Sequence, residues 1–262
     1  MGNKVSQVTL ENGKTAWSFS SSQYVQAAVK NVEDHLKKQK RSLPTRATSP
    51  FQSEYRPEKD ITTELNLSDA AYYQSLIGIL RWIVELGRAD ITAETSMMAS
   101  FMALPRQGHL DQVYHIFAYL KAKHNSEMVF DPTEPDIRDS DFPKEDWSSS
   151  VYNGAHEILP PNAPQCRGNG FIIRAFVDSD HAGLETIRRS RTGYIIFINN
   201  APLYWSSKKQ NCIQTSSFGS EFHAMKECCE YLRGLRYKLR MMGIPVDSPC
   251  YIFGDNQLVL VN

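Results

Sequence analysis

Several features are missing from this sequence, and each absence narrows what it can do. It has no surplus of charge: Lys plus Arg number 29, Asp plus Glu number 29, and the formal net charge is +0. A uniformly basic nucleic-acid sink is excluded, although local basic patches are not. No apolar run approaches the roughly 18–20 residues of a membrane span. Leu76–Leu86 is broken by Arg81 and Glu85, and Leu258–Val261 is short, so no membrane partner is expected. Met1–Leu10 lacks the apolar segment of a secretory signal. The five cysteines (Cys166, Cys212, Cys228, Cys229 and Cys250) form no C-x-x-C pair and no Cys/His array with zinc spacing. Reduced thiols in an intracellular compartment, cytoplasm or nucleus, are expected.

What is present fits a folded protein. The 262 residues have room for one large domain or two ordinary ones. Hydrophobic residues at 41% and charged residues at 22% exclude a wholly disordered chain. Met1-Gly2-Asn3-Lys4-Val5-Ser6 matches the N-myristoylation pattern, a motif short enough to recur by chance.

Hydrophobic spacing divides the chain. Val5–Leu10 and Ala16–Phe19 read as strands about a Glu11–Lys14 turn, followed by a helix over Gln23–Lys38 capped by Ser21 or Ser22. Its expected apolar face is Tyr24, Ala27, Ala28, Val32 and Leu36. Pro44–Asp60 reads as a loop. Ser68–Phe130 reads as helical throughout, with Ser68-Asp69 capping the first helix, Gly87 stopping it, Asp90 capping the second and Pro105 ending that one. A third helix over His109–Lys121 is expected to bury Leu110, Val113, Phe117 and Leu120. Acidic residues and six prolines make 131–167 a linker or surface excursion.

After Gly168 the pattern changes to strands. Phe171–Val177 is nearly continuously apolar, as in a central buried strand. Gly193–Ile198 and Leu203–Ser207 follow, then a long helix with Phe218, Phe222, Met225, Cys229, Leu232, Leu239 and Met242 on one stripe. Cys250–Phe253 is a fourth strand, and another helix starts at Gln257. This order predicts an α/β layer on a mixed sheet.

Three acids occupy informative places. Asp178 lies at the exit of the first of these strands, Glu221 one turn into the long helix, and Asp255 where the fourth strand ends. Strand exits in α/β sheets face the crevice where ligands bind. Three carboxylates meeting there suit one or two Mg²⁺ ions, since hard cations take oxygen ligands. Two ions about 3.5–4 Å apart would activate a water and stabilise the leaving oxygen of a phosphodiester. Structural readings stand beside this one: a strand-end turn for Asp178, a dipole-favoured helix Glu for Glu221 and an N-cap for Asp255. Calcium is rejected, because Asp178-Ser179-Asp180 opens an EF-hand-like loop whose fifth and twelfth positions are Ala182 and Arg189.

The motifs in order resemble one family. Val177-Asp178-Ser179-Asp180-His181-Ala182-Gly183 is similar to the Y-x-D-A-D-x-A-G stretch of copia-type LTR retrotransposon polyproteins, and Arg188–Tyr194 to their R-R-S-T-S-G-Y. Leu203–Gln210 is similar to I-S-W-S-S-K-K-Q, Ser220–Met225 to A-E-Y-M-A-L, and Gly254–Gln257 to C-D-N-Q. Upstream, Tyr73–Gly78 resembles Y-R-S-L-V-G-S-L and Arg88–Ile91 resembles R-P-D-I.

The resemblance implies a reverse transcriptase remnant over 1–62, a mainly helical connection over 63–130, the linker 131–167, and a ribonuclease H-like domain over 168–262. Asp178, Glu221 and Asp255 would hold two Mg²⁺ and cut the RNA strand of an RNA–DNA hybrid. Arg188, Arg189, Arg191, Lys208 and Lys209 would contact phosphates, with solvated turn charge as the alternative. The rest of the reverse transcriptase is the implied protein partner. Two departures qualify this. The polymerase motif Y-x-D-D is absent, and Asn262 falls where ribonuclease H folds continue to a fourth acid. The expected site is one carboxylate short and its activity weak. The rival expectation is an inactive remnant that binds nucleic acid or a protein.

Overall fold

A computed structural model describes residues 3–138, 161–184 and 188–256, with single positions 140, 142, 146, 148, 149, 151 and 259. Met1 and Gly2 of the myristoylation pattern, most of the helix expected from Gln257, and much of the acidic stretch lie outside these residues.

A three-stranded antiparallel sheet opens the chain, with β1 (Lys4–Thr9), β2 (Thr15–Ser20) and β3 (Glu127–Phe130) in that order. Gly13, at φ +79°, makes the β1–β2 turn, in a left-handed conformation that costs glycine little. The strand β3 corrects the helical reading of this region: Trp17 pairs with Phe130 and Ser20 with Glu127, a partner more than 100 residues away.

Four helices pack beside this sheet: α1 (Ser22–Lys38), α2 (Leu67–Glu85), α3 (Thr92–Ala99) and α4 (Gln107–Ala122). Their apolar faces share one core, in which Val25, Ile77, Leu80, Ile83, Val113 and Phe117 are fully buried. This core runs across residues 62 and 63 without a break. On α1 the buried face is Val25, Ala28, Val29, Val32 and Leu36, so it lies one position away from the expected Tyr24 and Ala27. The caps also differ. Asn66, not Ser68-Asp69, caps α2, its side chain accepting from Asp69 N–H at 2.9 Å. Asp90 does not cap α3. Its carboxylate takes two hydrogen bonds from buried Arg88, at 2.8 and 2.7 Å, because pairing a buried guanidinium is worth more than capping a short helix.

The second sheet has the order β6–β5–β4–β7, from β4 (Ile173–Leu184), β5 (Arg189–Ile198), β6 (Ala201–Lys209) and β7 (Cys250–Phe253). The pairs β4–β5 and β5–β6 are antiparallel, and β7 runs parallel to β4. The helix α5 (Ser217–Met241) connects β6 to β7 and covers the face presented by Ile173, Ala175 and Val177. Burying each large aliphatic side chain here stabilises the fold by about 1.5–3 kcal/mol.

Two expectations are corrected here. The strand β4 is not buried on both faces, since Phe176, pointing away from α5, is 41% exposed. The buried stripe of α5 is Ser220, Ala224, Cys228, Leu232, Leu235 and Leu239, whereas Phe222 and Met242 are exposed. Small residues in the first half of the helix let it approach the sheet closely, and the large aromatic side chains turn to the rim.

The two cores meet through α3 and β6. Ser96 Oγ donates to Ser207 O and accepts from Arg191 Nη1, both at 2.6 Å, and Trp205 packs on the first core. The start of the acidic stretch is tied down as well: Asn200 N–H donates to Thr133 O at 3.1 Å, and Asn199 Nδ2 donates to Pro132 O at 3.0 Å. Among the described residues no helix is long and apolar enough to cross a membrane.

Candidate metal centre and nucleic-acid interface

Asp178 lies at mid-length of the central strand β4, opposite Gly193 on β5, because β4 runs on to Leu184. The strand exit expected there is corrected: Asp178 instead stands two residues past the last β4–β7 pair, Phe176 with Phe253. The strand β7 ends at Phe253, two residues before Asp255. Glu221 comes from the other direction, in the second turn of α5.

The start of α5 is fixed by two contacts. Ser216 Oγ accepts from Gly219 N–H at 3.1 Å, which caps the helix. Buried Gln210, at the end of β6, donates from Nε2 to Ser220 O at 3.0 Å and to Thr192 Oγ1 at 3.1 Å. Gln210 thereby ties the sheet to the residue just before Glu221.

These elements bring Asp178, Glu221 and Asp255 together. One carboxylate oxygen from each lies within 4.8 Å of the others. Asp178 and Asp255 are exposed and Glu221 is half-buried. Glu221 Oε1 also accepts from Ser179 N–H at 3.3 Å, which holds the side chain toward β4. Partial burial raises the Glu221 carboxyl above the usual range, and the negative charges of Asp178 and Asp255 add to the rise. The donor set is all oxygen and its members repel one another, so a hard divalent cation fits it by both ligand chemistry and charge. Among the described residues no fourth carboxylate joins the group.

The basic residues differ in exposure. Arg188, at φ +49°, and Lys208 are exposed, while Arg189 and Lys209 are half-buried. Arg191 is 7% exposed, and burial lowers its pKa, partly offset by the charge of Asp180. Its Nη1 is committed to Ser96. Arg191 pairs with Asp180 on β4 and Lys209 on β6, a cross-strand row two residues beyond Asp178.

Sequence reasoning missed one wall of this region. A cleft of about 430 Å³ lies between the segment Phe51–Glu58 and the far ends of β4 and β5. Arg56, Glu58 and His181 line it alongside Arg189 and Arg191. No local pattern marks the segment, because its contacts with β4 and β5 come from more than 100 residues away.

Fold and site together define the class: a mixed α/β protein with an all-carboxylate cluster between mid-β4, the start of α5 and the end of β7. The chain's homologues are retrovirus-related Pol polyproteins of copia-type transposons, at low identity. It is 24% identical over 200 residues to the Pol polyprotein from transposon RE1 of Arabidopsis thaliana, covering 76% of this chain and 11% of that one. It is 23% identical over 200 residues to the Pol polyprotein from transposon RE2 of the same plant, with the same coverage. The Pol polyprotein from transposon TNT 1-94 of Nicotiana tabacum is 22% identical over 172 residues, 66% of this chain and 10% of that polyprotein. The chain thus spans about a tenth of the length of these relatives. No family model matches it, and no solved structure does.

Proposed function

We propose that Asp178, Glu221 and Asp255 form a ribonuclease H-like centre that holds Mg²⁺ and hydrolyses the RNA strand of an RNA–DNA hybrid. The observation that carries this reading is the approach of three carboxylate oxygens, one from each residue, within 4.8 Å of one another. The likeness to transposon Pol polyproteins supports it, as does the fall of the motif acids on this one place.

Bound there, Mg²⁺ supplies an acidified water and positive charge for the leaving oxygen. The protein's part follows from its own groups. All three carboxylates must be ionised to act as ligands, which sets their mutual repulsion against folding until a cation is present. Ser179 N–H orients Glu221, and Gln210 fixes the helix turn that carries it. Exposed Arg188 and Lys208, with Arg189 and Lys209, supply charge for phosphate oxygens on the nucleic acid. The remainder of a reverse transcriptase is the protein partner that this reading implies.

The test incubates the 262-residue chain with an end-labelled RNA–DNA hybrid, a DNA duplex and an RNA duplex, each with Mg²⁺. The reading predicts cleavage of the hybrid's RNA strand alone, above the level of an Asp178→Asn control. Equal product from the wild type and Asp178→Asn would overturn it.

A further inference from the structure

Three residues that line the cleft between the Phe51–Glu58 segment and the β4–β5 ends each carry a buried polar atom without a hydrogen-bond partner: Arg191 Nη2, His181 Nδ1 and Glu58 Oε1. Unpaired buried donors and acceptors each cost about 1–3 kcal/mol, so three around one cleft call for a ligand with matching groups. Arg191 is especially telling, because it is 7% exposed and only its Nη1 is accounted for, by Ser96.

The opposite wall is built to stay in place. Three buried polar side chains on α4 hold the segment by its backbone. Gln112 Nε2 donates to Pro50 O at 3.3 Å, and His115 Nε2 bonds Ser49 O at 3.1 Å. His109 Nδ1 accepts from Arg106 N–H at 3.0 Å, which leaves Nε2 to donate to Pro57 O at 2.9 Å. Glu58 therefore faces the cleft from a fixed backbone.

The lining contains Arg56, Arg189 and Arg191 against Glu58 and Asp180. A plain anion would satisfy the arginines and leave Glu58 Oε1 unpaired. A ligand that carries both an anion and a hydroxyl donor satisfies both. His181 lies three residues along β4 from Asp178, about 10 Å at the strand rise, so the cleft is one step from the carboxylate cluster.

We propose that this cleft seats one ribonucleotide unit of the RNA strand, its phosphate on Arg189 and Arg191 and its 2′-hydroxyl donating to Glu58. The proposal rests on the hybrid-cleaving reading and adds to it a seat that tells ribose from deoxyribose. A DNA strand in the same position would leave Glu58 unpaired, the type of mismatch that gives polar sites their discrimination.

The test measures binding in EDTA, apart from cleavage, by fluorescence anisotropy with the full chain. The probes are a labelled RNA–DNA hybrid and a DNA duplex of the same sequence. Wild type is expected to favour the hybrid. Glu58→Met should weaken hybrid binding about tenfold, the size of one lost charged hydrogen bond, and leave the DNA duplex unchanged. Glu58→Gln, which keeps an acceptor oxygen, should recover part of the loss. Arg189→Ala should weaken both probes and lower the salt slope by about 1. Wild type without preference for the hybrid, or Glu58→Met acting equally on both probes or on neither, would overturn the proposal. Hybrid-selective binding without Mg²⁺-dependent cleavage would instead defeat the cleavage reading and leave the seat standing.

Discussion

Replacing Arg88 with methionine should be among the most costly single changes in the first core. The Arg88 side chain is 2% exposed. Its Nε and Nη2 donate to the two Asp90 oxygens at 2.8 and 2.7 Å, and Nη1 donates to Lys123 O, at the end of α4, at 3.0 Å. The guanidinium also lies 5.8 Å from the centre of the Tyr119 ring. Methionine fills similar volume, so the loss is chiefly electrostatic: a carboxylate and a helix-end carbonyl left without their donor. Breaking a buried ion pair costs about 3–5 kcal/mol. Asp90 is 36% exposed and keeps the Tyr119 hydroxyl at 2.9 Å, so solvent and that bond bring the expected loss to the low end, about 3 kcal/mol. The effect should depend on pH. Burial alone would raise the Asp90 carboxyl, but the hydrogen bonds and charge of Arg88, with Tyr119, outweigh it and hold the group below the usual carboxylate range. A carboxyl depressed by folding adds stability above its unfolded value of about 4, and that stability is lost as pH falls through the lower folded value. Urea unfolding of wild type and Arg88→Met at pH 7 and pH 3 should therefore show a large difference at pH 7 and a smaller one at pH 3. An equal loss at both pH values, or a loss under about 1 kcal/mol at pH 7, would refute this reasoning.

Other perturbations probe other parts of the account. Leu80→Ala empties a fully buried position and should cost about 2–5 kcal/mol in the same unfolding assay. Gly87→Ala should cost more than about 1 kcal/mol, because Gly87 has φ +100° and an added carbon would come within 3.3 Å of the Phe19 ring; a neutral result would show that the turn relaxes freely. Glu221 has a raised carboxyl, so its ionisation above the unfolded value of about 4 opposes folding. Without divalent ions at pH 7, Glu221→Gln should melt no lower than wild type. Mg²⁺ should raise the melting temperature of wild type and not of the variant, and scanning fluorimetry with and without Mg²⁺ separates the two.

The strand order β4, β5, β6, α5, β7 was legible in the sequence, because buried aliphatic runs and turn residues are local signals, whereas the length of β4 was not: it reads as ending before Asp178, and only its pairing with β5 carries it on to Leu184. The phase of α5 was not. Periodicity weights Phe218 and Phe222, whereas the face that meets the sheet is built from Ser220, Ala224 and Cys228, whose small size is what admits close packing. The short strand β3 escaped notice because only its pairing with β2 makes Glu127–Phe130 extended. The clamp on the Pro-rich segment was hidden for a related reason. His109, Gln112 and His115 read as polar residues on a helix, and their burial depends on backbone carbonyls some 50 to 70 residues away. Arg191 was legible as a basic residue in a basic stretch, but not as a buried one bound to Ser96.

The most direct measurement is anomalous diffraction from crystals of the full chain grown with Mn²⁺, which takes the same oxygen ligands as Mg²⁺ and scatters strongly. The account predicts a manganese peak bridged by the carboxylates of Asp178, Glu221 and Asp255, absent from crystals of Asp178→Asn. Manganese bound elsewhere while this cluster stays empty, or a peak that persists in Asp178→Asn, would contradict it.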